Sequence, residues 1–141
     1  MAKITFIGAG NVVFASRLLG DIISHPELRD STVSLMDINA ERLKLITRFA
    51  RVMTAKYAPE ARVESTLNRR EALEDADYVI IMIQVGGLEA FEKDIYIPLK
   101  YGMSQEVGDT LGPGGVFRGC VQSRFSWTSA MTWRSYAQML F

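Results

Sequence analysis

The sequence predicts an α/β fold, a doubly wound parallel sheet, on three observations. A short apolar strand runs directly into a glycine turn, strands and helices alternate after it, and the most continuously apolar segment follows in mid-chain. Lys3 to Ile7 is the first strand, entering Gly8-Ala9-Gly10-Asn11. A helix follows, in which Phe14, Leu18, Leu19 and Ile22 form one stripe suited to lie on a sheet, and His25-Pro26 ends it. Thr32 to Met36 is the second strand, closed by Asp37, and Leu43, Ile46, Ala50 and Met53 recur at helical spacing within Ala40 to Tyr57. Arg62 to Thr66 alternates polar and apolar residues as an edge strand does, and Arg70 to Ala76 is a short acidic helix or turn. Tyr78 to Ile83 is the apolar segment, expected as a central strand covered on both faces and lying beside the first. The expected strand order is 3-2-1-4. Leu88 to Tyr101, interrupted by Pro98, has a mixed pattern expected to form a loop over a ligand, and the segment 108–115 is too glycine-rich for a regular element.

The chain has 141 residues, 48% of them apolar, enough for one compact domain and too few for a second full one. Sixteen basic residues balance sixteen acidic ones, so no overall field draws it to nucleic acid or a membrane surface. No apolar run approaches the roughly 20 residues that span a bilayer, and no secretory leader is visible. The single cysteine, Cys120, forms no intrachain disulfide or cysteine cluster, which makes a reducing cytoplasm the simplest compartment. His25, the one histidine, precedes a proline in a surface connection and is assigned no metal role; no metal ligand is named in this chain.

The strand–glycine–helix junction carries the chemistry. Glycine has no Cβ to hold a pyrophosphate away, and the helix directs unbonded N–H groups at the anion. Gly8 and Gly10 have that placement, whereas Val13 stands at the third fingerprint position, where glycine or alanine is usual. Asp37 lies 24 residues further on, at the end of the second strand, where a carboxylate accepts from the adenosine ribose and repels the extra phosphate of NADP. NAD is therefore preferred to NADP. Each feature has a plain reading too: a tight turn for the glycines and a helix cap for the aspartate. Their order on the right elements favours the dinucleotide.

Four segments carry a resemblance: Ile7-Gly8-Ala9-Gly10-Asn11-Val12-Val13-Phe14 with Gly20-Asp21-Ile22; Met36-Asp37-Ile38; Gln84-Val85-Gly86-Gly87-Leu88-Glu89-Ala90; and Gly108-Asp109-Thr110-Leu111-Gly112-Pro113-Gly114-Gly115-Val116-Phe117-Arg118. In order and spacing residues 1–118 resemble the NAD- and divalent-metal-dependent glycoside hydrolases of family 4, which include α-glucosidases, α-galactosidases and α-glucuronidases. The resemblance implies a Rossmann-like NAD-binding domain, truncated so that it lacks the C-terminal substrate domain. It also implies cleavage of an O-glycosidic bond by oxidation of the sugar at C3 with NAD as hydride acceptor, elimination, addition of water and re-reduction, an exception to two-carboxylate glycosidases. The manganese or other divalent ion, its ligands and the tyrosine base of such enzymes belong to positions beyond the matching segment, so this chain alone is expected to be inactive. The implied partner is a small-molecule glycoside, with self-association.

Carried over residue by residue, the cofactor-binding positions are Gly8, Gly10, Asn11, Val12, Asp37, Gln84 and Gly86, with asparagine at position 11 where the family more often has serine. Asp109 is the candidate catalytic carboxylate, as general acid or substrate ligand, or else a turn-forming aspartate bonded to its own backbone. Arg118 is the candidate substrate-binding residue, or else the partner of a carboxylate. The alternatives to the glycosidase are a non-catalytic nucleotide-binding module and a fragment of a lactate/malate-type dehydrogenase.

After Gly119 the character changes, for residues 120–134 hold both tryptophans and no negative charge. Codons can be chosen such that a neighbouring frame continues the family pattern with an amphipathic segment. Residues 119–141 are therefore expected to be an aberrant, frame-shifted tail, the rival being a short protein whose aromatic tail packs on the sheet.

Overall fold

The computed structural model describes residues 1–104 and 112–137. The chain divides into two compact units, one of Met1–Ile83 with the segment from Met131 onward, the other of Gln84–Ala130.

The first unit is built on strands β1 (Lys3–Ile7), β2 (Thr32–Met36), β3 (Arg62–Thr66) and β4 (Tyr78–Ile81), with helices α1 (Val12–Ser24), α2 (Ala40–Tyr57) and α3 (Arg69–Leu73) between them. All neighbours are parallel in the order β3-β2-β1-β4, as the alternation predicts. Each helix starts at an asparagine: the side chains of Asn11, Asn39 and Asn68 accept from the N–H of Phe14, Arg42 and Arg70. Asparagine fits there because its short carbonyl replaces an acceptor that the first turn lacks.

Alternation along β1 and β2 sorts the core into two clusters. Ile4, Phe6, Val33 and Leu35 face Leu19, Ile23, Ile46 and Ala50, all buried. Ile7 and Met36 point to the other face and meet Ala72 and Leu73, with Trp133 packed against them. Each fully buried Val, Leu, Ile, Phe or Met side chain among them contributes about 1.5–3 kcal/mol by leaving water, and each alanine less. The Thr5 hydroxyl, on that second face, donates to the Ala72 carbonyl at 2.8 Å and so enters the core without an unmet polar group.

Four expectations are corrected. Phe14 is 58% exposed; α1 buries Ala15, Leu19, Ile22 and Ile23 instead, because the stripe is centred a third of a turn away from Phe14. β4 ends at Ile81, its residues half-buried and Tyr78 exposed, so its apolar composition does not mark a central strand covered on both faces, although its place beside β1 at the end of the order is the one expected. The expected loop after β4 is helix α4 (Gly87–Leu99) in the second unit. Pro98 falls in its last turn, where a lost N–H bond interrupts little. The glycine-rich segment is helical from Gly112, where α5 (Gly112–Ala137) begins, and Pro113 supplies a preset helical φ in its first turn; residues 108–111 of that segment lie outside the described residues.

Candidate cofactor site

Gly8 leaves β1 with φ +87°, a left-handed conformation that side chains rarely adopt, and a Cβ there would strike the Met82 carbonyl. The Gly8 and Ala9 N–H groups both donate to the Met36 carbonyl at 2.9 Å, which ties the turn to the end of β2. Gly10 is buried, and a Cβ on it would lie 2.6 Å from Asp37 Oδ2. Instead the Gly10 N–H donates to that oxygen at 2.7 Å, while the Asn39 N–H donates to Oδ1 at 2.8 Å. Asp37 thus faces the glycine turn and holds it, and both carboxylate oxygens keep lone pairs for further donors.

At the head of α1, the Asn11 side chain caps Phe14 through a long 3.5 Å bond. No acceptor among the described residues takes the Val12 or Val13 N–H, and the first turn holds no acidic residue. These free donors and the helix dipole favour an anion. Turn, free N–H groups and the carboxylate beside them together fit a dinucleotide. The sequence missed the second role of Asp37; the close spacing of Asp37 and the capping Asn39 was the one available signal.

In the second unit, Gly86 caps α4 with φ +82°, and a Cβ on it would lie 2.6 Å from that of Ala90. Gln84 is exposed. Arg118, on α5, is 3% exposed; its Nε donates to Asp94 Oδ2 at 2.7 Å, Nη2 pairs with the same oxygen, and Nη1 donates to the Val85 carbonyl. The carboxylate-partner reading of Arg118 is therefore the geometry found. Asp94 escaped the sequence reading because nothing distinguishes it from the other acids of α4. Asp109 lies outside the described residues. No cluster of three or more His, Cys, Asp or Glu side chains able to hold a metal occurs among the described residues, and no helix there is long and apolar enough to cross a membrane.

The fold and turn define an α/β domain of the Rossmann-like class. The family model described as Family 4 glycosyl hydrolase matches residues 3–130, and the chain belongs to that family. It is 48% identical over 118 residues to an alpha-galactosidase of Rhizobium meliloti (strain 1021), covering 83% of this chain and 24% of that protein. Identity to an alpha-galactosidase of Bacillus subtilis (strain 168) is 40% over 119 residues, 84% of this chain and 28% of the relative. Among solved structures, the 6-phospho-beta glucosidase of Thermotoga maritima, with NAD and glucose-6-phosphate, aligns at a TM-score of 0.84 and 26% identity, over 96% of this chain and 32% of that one. A 6-phospho-alpha-glucosidase from gut microorganisms, with NAD and Mn2+, aligns at 0.83 and 25%, over 97% of this chain and 31% of that one. The chain spans about a quarter to a third of the length of these relatives. The family match goes against the dehydrogenase alternative.

Proposed function

We propose that this chain is the NAD-binding portion of a glycosidase that cleaves O-glycosidic bonds by oxidation, elimination and re-reduction, with manganese or another divalent ion held elsewhere in the longer enzyme. The observation that carries it is the Gly8–Gly10 turn fastened to Asp37 at the head of a helix with free N–H groups. Gly8, Gly10, Asn11 and Val12 would face the pyrophosphate, the two glycines by leaving room for it and Val12 through its unbonded N–H group, and Asp37 would face the adenosine ribose. Gln84 and Gly86 follow β4 in the chain, and the carboxyl ends of parallel strands are where such folds bind ligands. When bound, NAD supplies a hydride acceptor for a sugar hydroxyl.

Arg118 is read as a positioning residue, acting on the Val85–Gly86 backbone rather than on the substrate. Asp109 keeps its place as the candidate catalytic carboxylate, and 1–118 as the NAD-binding part with 119–141 as a separate tail. The substrate is a small-molecule glycoside, the protein self-associates, and the single cysteine fits a cytoplasmic setting. The chain alone binds NAD without hydrolysing glycosides. Calorimetric titration of the folded chain with NAD tests the first half, and a folded sample that leaves millimolar NAD free defeats it. Assay with a nitrophenyl α-glycoside, NAD and Mn2+ tests the second, and turnover defeats that.

A further inference from the structure

Helix α2 begins beside the glycine turn, and one of its cations stands where cofactor choice is made. Asn39 caps the helix by accepting the Arg42 N–H at 3.0 Å, which fixes Arg42 in the first turn. A Cβ on Gly10 would lie 3.0 Å from the Arg42 Cβ and 2.6 Å from Asp37 Oδ2, so the arginine and the aspartate flank the same backbone point. Arg42 is exposed, and it has no ion pair among the described residues. Glu41, one residue earlier, projects about 100° away around the helix.

The ribose 2′ position decides between the two dinucleotides: a carboxylate accepts from the hydroxyl of NAD, whereas an arginine receives the phosphate of NADP. Both groups are present here. We infer that Arg42 is a specificity-determining residue, an arginine placed to attract a 2′-phosphate, its pull outweighed in the native chain by the adjacent negative charge of Asp37. The cofactor preference then rests on one charge rather than on the shape of the turn. A planar guanidinium binds phosphate through paired hydrogen bonds, so removing the opposing charge exposes a ready receptor. This inference rests on the NAD reading above.

The test is calorimetric titration of the 141-residue chain with NAD and with NADP, with circular dichroism as the check of folding. Asp37→Asn keeps an oxygen for the Gly10 N–H while removing the charge, and Asp37→Ser is a second neutral form. The native chain prefers NAD; Asp37→Asn shifts the ratio of the two dissociation constants toward NADP by about tenfold or more. Adding Arg42→Ala abolishes the shift. A double variant that keeps the gain in NADP binding overturns the inference while leaving the NAD reading intact. If neither neutral form folds, Arg42→Ala in the native background decides at millimolar cofactor, weakening NADP more than NAD; an unchanged ratio overturns the inference. A folded native chain that binds neither dinucleotide removes the NAD reading and this inference together.

Discussion

Asp37 Oδ2 accepts the Gly10 N–H at 2.7 Å, joining two residues 27 apart in the chain and fastening the turn after β1 to the end of β2. The bond makes the carboxylate a structural part of the turn as well as a candidate ribose acceptor. Asp37→Ala removes both the Gly10 and Asn39 acceptors and is expected to lower stability by about 1.5–3 kcal/mol, the worth of hydrogen bonds to a charged group. Asp37→Asn should lose less. Denaturant titration of the two variants checks the order; equal losses would show that the turn does not depend on this acceptor.

Gly8 is the more demanding position, since its positive φ and the nearby Met82 carbonyl both exclude a side chain. Gly8→Ala is expected to cost at least about 1–3 kcal/mol from backbone strain alone, with NAD affinity falling in parallel. A melting temperature equal to that of the native chain would contradict this account.

The Asp94–Arg118 pair is buried, so breaking it on one side leaves an uncompensated charge. Arg118→Ala should lose about 3–5 kcal/mol, whereas replacing both partners by apolar residues of similar size recovers much of the loss. A double-mutant cycle by thermal or urea unfolding measures the recovery. Purely additive losses would mean that the pair is not coupled.

Trp133 donates from Nε1 to the Ala76 carbonyl at 2.6 Å and packs with Ile7, Met36, Ala72 and Leu73. Trp133→Ala is expected to destabilise the first unit by about 3–5 kcal/mol, as removal of a large aromatic from a core does. Intrinsic fluorescence offers a second readout, because Trp127 is 70% exposed whereas Trp133 is half-buried. Unfolding of the Trp127→Phe variant should be accompanied by a red shift of the remaining emission; emission already at the wavelength of free tryptophan would exclude the packing.

Glu71 accepts from the Thr66 hydroxyl and the Asn68 amide, in that order of effect, and these bonds hold its carboxyl below the ordinary value of 4.5. A lowered folded value favours the folded state above the ordinary carboxylate range, and that contribution disappears as pH falls through the lowered value. Glu71→Gln should therefore flatten the loss of stability as pH falls below the ordinary value of 4.5, followed by urea midpoints. An unchanged slope would assign the acid sensitivity to other groups.

Much of the first unit was legible in the sequence because each strand is short, bounded by a turn or cap residue, and followed by apolar residues at helical spacing. Lys3–Ile7, Thr32–Met36, Ala40–Tyr57 and Arg62–Thr66 have the boundaries their composition predicts. The readings that failed depended on surroundings. Apolar composition made β4 a strand covered on both faces, although what packs over a strand is not written in its own residues. Pro98 and the glycines after 111 counted against helices that form nevertheless, because a breaker within a terminal turn disrupts few bonds.

By itself, the chain's residue order determined the parallel alternation, the glycine turn and the carboxylate that closes β2. Those are local matters of periodicity, φ range and side-chain chemistry. Only the tertiary structure decided that Asp37 bonds Gly10, that Arg118 meets Asp94 and that Trp133 rests on the sheet. Each of these contacts joins segments far apart in sequence, and their partners are selected by packing, which no local pattern encodes.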